Sequence, residues 1–272
     1  MTDATRPYRP QTRGGLKTRR DVVSPHPDAP RLVIGMQPVR EAIRAHGKRL
    51  AAVLVEVGRG ESTARLDALA RFATDQGIAE VRRVERRELD SVAQGGLHQG
   101  ALAWAPALKL LGVEELLAPP DLLVLALDGI QDPQNFGAAI RSAVGLGATS
   151  VVWPEHAAAP LTPATFRASA GAIEHARLGR VPSLVRFVDD AVASGAAVVG
   201  LTTDAERPLQ DLDLGGRLVL VIGSEHEGIG RAVRKRCTAL GRLTLKGPVE
   251  SLNASAAAAV ALAIAGIQRT KS

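Results

Sequence analysis

The chain has 272 residues, 46% of them hydrophobic and 23% charged, enough apolar material to bury a core and enough length for one large or two modest domains. A wholly disordered protein is excluded on those figures. The net charge of +6 is unevenly placed: Lys/Arg outnumber Asp/Glu by six to three in residues 1–30 and by twelve to nine in 31–103, and balance at sixteen each in 104–272. A basic leading part on a neutral body suits a polyanion held by one part while the other does the chemistry, or a tail that only aids solubility.

In chain order, residues 1–30 mix Arg, Pro, Thr, Asp and Gly without apolar periodicity and read as a disordered basic arm. The spacing of Val39 and Ile43 predicts a helix over 37–46, with Pro38 in its first turn and Gly47 at its end. A β-branched strand over 51–57, a helix over 61–76 closed by Gly77, a strand over 79–84 and a short helix over 85–92 complete a small α/β module. The Gly- and Pro-bearing stretch 94–120 reads as a connection with a short strand and helix inside it, giving domains at 31–103 and 119–272 with a linker at 104–118.

Beyond it, apolar runs without alternation recur at 122–127, 150–153, 196–201, 218–222 and 242–245. Helical stretches separate or follow them at 135–145, 162–170, 184–194, 230–237 and 251–267. Strands apolar throughout are covered on both faces, so this part is predicted to be a mostly parallel sheet flanked by helices.

Several chemistries lose their best signals. There is no G-x-x-x-x-G-K-[ST], no G-x-G-x-x-G after a strand and no G-x-S-x-G elbow. One cysteine, Cys237, excludes an internal disulfide framework and reads as an inert thiol on a helix flank, and six histidines without H-x-x-H or H-E-x-x-H spacing argue for no metal. Aromatic residues at 3% argue against a base-stacking platform. The most apolar stretch, 254–267, falls short of the ~20 residues a bilayer needs, and no apolar leader is visible, so a cytoplasmic protein without membrane contact is expected.

Three clusters fall where strands end, the place at which open α/β sheets bind ligands. Asp128 to Gly137 runs into a helix that Asn135 is placed to cap and that carries Arg141. Gly223 to Gly230 is a glycine-rich turn whose Glu225 and Glu227 repel phosphate and suit a ligand read by backbone groups or a donor with positive charge; His226 reads as a solvated loop residue. Lys246 to Ser255 opens the last helix with Ser251, Asn253 and Ser255 near free N–H groups. Each alone is equally an ordinary cap or turn.

Together, Asn135-x-Gly137-x-x-x-Arg141, Gly223-Ser224-Glu225-x-Glu227-Gly228 and Glu250-Ser251-Leu252-Asn253-x-Ser255 resemble the three motifs of the SpoU (TrmH) RNA 2′-O-methyltransferases. Gly35 to Ala42 and Gly96-Leu97-His98-Gln99-Gly100 look like the first domain and linker of bacterial 23S rRNA guanosine 2′-O-methyltransferases. The resemblance implies a trefoil-knotted parallel sheet of the SPOUT type, a small ribosomal-protein-like α/β domain that holds RNA, S-adenosyl-L-methionine as cofactor, and a homodimer. It implies Arg141 as the central catalytic residue, with Asn135, Glu225, Ser251 and Asn253 shaping the site, and Thr202, Gly223, Leu243 and Leu252 enclosing the donor. A guanidinium with a pKa above ~12 is a poor base, so Arg141 is read as a positioner of phosphate or alkoxide, with the base as the other reading. His226, Leu243-Thr244-Leu245 and Ala254 depart from the residues usual in the family, and none of them removes a polar catalytic position. The implied reaction is 2′-O-methylation of structured RNA, most like a guanosine of 23S rRNA. A tRNA ribose or ribosomal adenosine target, or a non-catalytic RNA-binding ribosome-assembly protein, are the alternatives.

Overall fold

A computed structural model describes residues 31–57, 61–156, 158–159 and 161–270; the basic arm at 1–30 lies outside them. The first unit is built from β1 (Arg31–Ile34), α1 (Met36–His46), β2 (Ala52–Glu56), α2 (Glu61–Asp75), β3 (Val81–Val84), α3 (Arg86–Ala93) and β4 (Ala101–Ala105). Its sheet order is β1-β4-β2-β3, antiparallel at β1/β4 and β4/β2 and parallel at β2/β3. Val39 and Ile43 of α1 and Leu66 and Leu69 of α2 pack on one face, and Leu89 of α3 meets Leu54 and Trp104 on the other.

The short strand expected inside the 94–120 connection is β4, an inner strand of this sheet, and the short helix expected there lies at Val113–Leu117. Ala101 to Ala105 is fully apolar because β4 is covered on both faces, and Gly100 (φ 81°) turns the chain into it. Strand β1 was not anticipated, its four residues being too short for a pattern to register.

The second unit contains α4 (Val113–Leu117), β5 (Leu123–Asp128), α5 (Pro133–Gly145), β6 (Ser150–Pro154), α6 (Pro163–Ala168), β7 (Leu178–Val181), α7 (Leu184–Ala193), β8 (Ala197–Leu201), β9 (Leu218–Gly223), α8 (Arg231–Arg234), β10 (Ala239–Gly241) and α9 (Ala254–Arg269). All six strands run parallel in the order β10-β8-β9-β5-β6-β7. Helices α5 and α9 cover one face, and α4, α7 and α8 the other. The ring of Phe136 on α5 meets Trp153 of β6 edge to face, 5.2 Å between centroids.

Two expectations are corrected. The strand placed at 242–245 lies at Ala239–Gly241, and residues 242–245 continue past it as the strand's exit. Strand β7 was missed, since Leu178-Gly179-Arg180-Val181 is an edge strand whose exposed arginine breaks the apolar run. Gly179 is required there, because a Cβ would fall 2.2 Å from Leu116 Cδ1.

This strand order positions the site. The chain builds outward through β5, β6 and β7, returns to lay down β8 on the far side, and inserts β9 between β8 and β5. The connection after β5 runs through α5 on one face and that after β9 through α8 on the other. The switch point, where open α/β sheets bind ligands, therefore lies at Asp128 and Gly223, which are register partners at the two strand ends.

Candidate active site

Asp132, not Asn135, caps α5: its carboxylate accepts from the N–H groups of Gln134 (3.3 Å) and Asn135 (3.0 Å), with Pro133 in the first turn. Asp-x-x-Asn makes either residue a plausible cap by type. The earlier one serves because Pro133, which lacks an N–H, follows it directly.

Capping by Asp132 frees the Asn135 amide to leave the helix. Its Nδ2 donates to Glu225 Oε1 (2.7 Å), across ninety residues of sequence. The same Glu225 oxygen accepts from the N–H of Ala254 (3.3 Å), the first residue of α9, where an unpaired donor and the helix dipole favour a carboxylate. Asn253 caps α9 through Oδ1, accepting from Ala256 N–H at 2.8 Å. The Ser255 hydroxyl lies 3.2 Å from both Asn135 Oδ1 and Asn253 Oδ1, and its one proton serves either in turn. All three motifs are joined in this network: the start of α5, the turn after β9 and the start of α9.

The turn after β9 is held by its own geometry. Ser224 and Gly228 exchange backbone hydrogen bonds (Ser224 N–H to Gly228 O, 3.2 Å; Gly228 N–H to Ser224 O, 3.0 Å), and a Cβ on Gly223 would lie 2.0 Å from the Gly228 carbonyl carbon. Gly230 N–H donates to Asp128 Oδ2 (2.8 Å), tying the turn to the end of β5. Burial raises the Asp128 pKa above the usual aspartate value, and that hydrogen bond only partly opposes it.

Three of the four positions read as donor-binding lie along one rim. Thr202 and Leu243 follow the carboxyl ends of β8 and β10, Gly223 closes β9, and these three strands are neighbours in the sheet. Thr202 N–H donates to Gly241 O (3.0 Å), and beyond it the chain pairs with the exit of β10, Leu209 N–H to Arg242 O at 2.8 Å. Leu252 precedes the cap of α9, and Leu243 packs onto the core below. The Thr202 hydroxyl is enclosed. It is near enough to Asp204 to add to the main effect of Arg234 in holding that exposed carboxylate below the usual aspartate range.

Of the five residues read as catalytic, Asn135, Glu225 and Asn253 share this network. Arg141 and Ser251 do not: both are exposed, and their side chains make no hydrogen bond or ion pair among the described residues. Arg141 is one helical turn beyond Gly137, whose missing side chain lets α5 approach α6; a Cβ there would lie 2.4 Å from Thr165 O. His226 is exposed. Asp128, Asp132 and Ser255 were not singled out for these roles, although Ser255 stands at the end of the third motif and its spacing of two from Asn253 was the available signal. Burial pushes the Cys237 thiol up to about 11, with the Asp128 charge adding to it, so it is an unreactive side chain.

A six-stranded parallel sheet with polar side chains and backbone groups gathered at its switch point is the arrangement in which open α/β proteins bind ligands at the strand ends. The "SpoU rRNA Methylase family" model matches residues 122–263, and the model for "RNA 2'-O ribose methyltransferase substrate binding" matches residues 32–110. The chain belongs to the SpoU family and is an RNA methyltransferase. It is 37% identical to an "Uncharacterized tRNA/rRNA methyltransferase" of Mycolicibacterium vanbaalenii over 97% of this chain and 85% of that one. Among solved structures it is similar to the SpoU methyltransferase AviRb from Streptomyces viridochromogenes in complex with AdoMet (26% identity, TM-score 0.70, covering 89% of this chain and 91% of that one). It is also similar to an "RNA 2'-O ribose methyltransferase" (26%, TM-score 0.69, 88% of each chain).

Proposed function

We propose that the protein methylates a ribose 2′-hydroxyl in structured RNA, with a guanosine of 23S rRNA as its target, using S-adenosyl-L-methionine bound along the rim formed by Thr202, Gly223, Leu243 and Leu252. The observation that carries the reading is the joining of Asn135, Glu225, Asn253 and Ser255 at the switch point by hydrogen bonds spanning up to 120 residues. The rim fits this cofactor in kind: an enclosed hydroxyl at Thr202, a side-chain-free strand end at Gly223, and half-buried Leu243 and Leu252 for an apolar surface. The acidic turn carrying Glu225 and Glu227 suits a cationic ligand and disfavours a free phosphate.

When bound, S-adenosyl-L-methionine supplies an electrophilic methyl group on a sulfonium. The chain's own residues bind and orient. Glu225 fixes the Asn135 amide, so that the loop before α5 and the turn after β9 keep one relative geometry. Arg141, exposed and without an ion-pair partner among the described residues, presents a permanently charged guanidinium to a phosphate or to the alkoxide that develops at the 2′-oxygen. Ser251, exposed at the entry to α9, is open to an incoming ribose.

The same reading includes the knot, the homodimer and a cytoplasmic setting. The pairing of the β10 exit with the chain after β8 supports a knotted threading, and the exposed Val260 and Ile267 of α9 support a partner subunit against that helix. Mapping of ribose methylation in rRNA with and without the gene tests the target: one guanosine of 23S rRNA loses its modification. Arg141→Ala abolishes transfer while calorimetric binding of S-adenosyl-L-methionine persists. Full transfer by that variant overturns the role given to Arg141.

A further inference from the structure

Away from this site, the two units meet through a buried charged cluster. Glu174, in the 3₁₀ turn Ala172–His175 before β7, has a side chain only 1% exposed, and its recorded hydrogen-bond partners both come from the first unit. Arg31 of β1 grips it with two parallel bonds, Nη1 to Oε1 and Nη2 to Oε2, each 2.7 Å, and His46 at the end of α1 lies 2.9 Å from Oε2. The next residue reverses the polarity: His175 Nε2 meets Glu41 Oε2 of α1 at 3.0 Å. The Arg31 guanidinium also lies 5.1 Å from the Phe166 ring centroid on α6 and donates through Nε to Pro106 O of the connecting segment. Gly171 (φ 87°) lets the backbones close up, since a Cβ there would fall 2.8 Å from Pro38 Cα.

Surface ion pairs contribute little, but a carboxylate taken out of water with partners on another unit has no such indifference: separating the units strands the charge. The cluster also has a direction. Helix α1 buries Val39, Ala42 and Ile43 and turns Arg40 and Arg44, one helical turn apart, to solvent, Arg44 also pairing with Glu41 (Nη1 to Oε1, 2.7 Å). The turn that clamps α1 packs in its other direction on α5, the helix carrying Arg141.

We infer that Glu174 is a positioning residue that docks the first unit onto the methyltransferase unit, so that RNA held by the basic face of α1 reaches the strand-end site in one fixed orientation. The docking stands on the geometry alone, and its use in substrate delivery rests on the RNA-methylation reading above. Glu174→Gln keeps the shape of the side chain and removes its charge, and Arg31→Gln breaks the same contact from the other unit.

The experiment compares both variants with the wild type as full-length protein. Small-angle scattering and limited proteolysis within residues 106–112 read docking without any RNA. Methyl transfer to total ribosomal RNA from a strain lacking the gene reads delivery. Both variants are expected to scatter with a larger radius of gyration and to be cut faster, with KM for the RNA rising ~10-fold or more, because a tethered but undocked unit is preorganised only part of the time. Affinity for S-adenosyl-L-methionine and kcat at saturating RNA stay within about twofold, as expected of a contact that orients the substrate without touching it. Wild-type scattering and cleavage in both variants overturn the docking role. Separated units with an unchanged KM overturn the delivery role. If the wild type itself transfers no methyl group to this RNA, the RNA-methylation reading fails and the scattering arm still decides the docking.

Discussion

Gly223→Ala tests the cradle at the end of β9 most directly. The new methyl would begin 2.0 Å from the Gly228 carbonyl carbon and 2.3 Å from both Gly228 O and Ile229 N. Since carbon atoms pack at about 3.5–4.0 Å, the 228–229 peptide must retreat by roughly 1.5 Å. That movement separates Ser224 from Gly228, whose two reciprocal hydrogen bonds close the turn. Losing two such bonds at ~1 kcal/mol each, with about 1–3 kcal/mol of overpacking, gives ~3 kcal/mol once the turn relaxes. At roughly 2–4 °C per kcal/mol, the thermal midpoint falls by about 6–12 °C, leaving a folded protein at 25 °C. The turn carries Glu225, so calorimetry at 25 °C should show S-adenosyl-L-methionine affinity reduced at least ~10-fold, a little over 1.4 kcal/mol. A variant that melts within about one degree of wild type and binds the cofactor equally well would refute both the steric argument and the placement of the donor on this rim.

Asn135→Asp exchanges an amide for a carboxylate at the 2.7 Å contact with Glu225. Two carboxylates at that distance cannot both ionise without penalty, so the variant should melt below Asn135→Ala at pH 8 and recover as a proton is taken up toward pH 5, in a pH series of thermal melts. Glu174 gives the opposite acid response. Burial pushes its pKa up, but hydrogen bonds from His46 and Arg31 more than offset this and hold it below the usual ~4.3. The stabilisation is therefore fully present above that value and lost as pH falls through the lower folded value, so wild-type scattering should show the units separating in acid. Glu174→Gln should lack this transition. Cys237, with its thiol raised to about 11, should react with a thiol reagent at pH 8 roughly two hundredfold more slowly than a free cysteine of pKa ~8.5. Rapid labelling would show that it is not buried as described.

The parallel sheet was legible in the sequence because β5 and β9 lie under helices on both faces and must be apolar throughout; Leu123 to Leu127 and Leu218 to Ile222 leave no other reading. The convergence of Asn135, Glu225 and Asn253 was legible through their spacing, since they are polar residues at strand ends and helix starts. What escaped depends on contacts between distant segments. The short strand read within 94–120 is there as β4, but its place inside the first sheet was not legible, and β7 was hidden by an outward-facing arginine. The cap on α5 went to the wrong residue of a pair alike in type. Glu174, in a short turn between an unremarkable histidine and isoleucine-bearing neighbour, carries no local sign of Arg31, 143 residues away.

The late arrival of β9 has a consequence for synthesis of the chain. Until about residue 223 has left the ribosome, β5 and β8 each present a bare hydrogen-bonding edge where the centre of the sheet will be. All partnerships across that gap are long-range and parallel, the slowest kind to form. The leading unit has every strand of its own by Ala105 and is free to fold while the rest is translated. A nascent chain stalled between those points would be half native and half adhesive, which makes this interval the one in which a chaperone matters most.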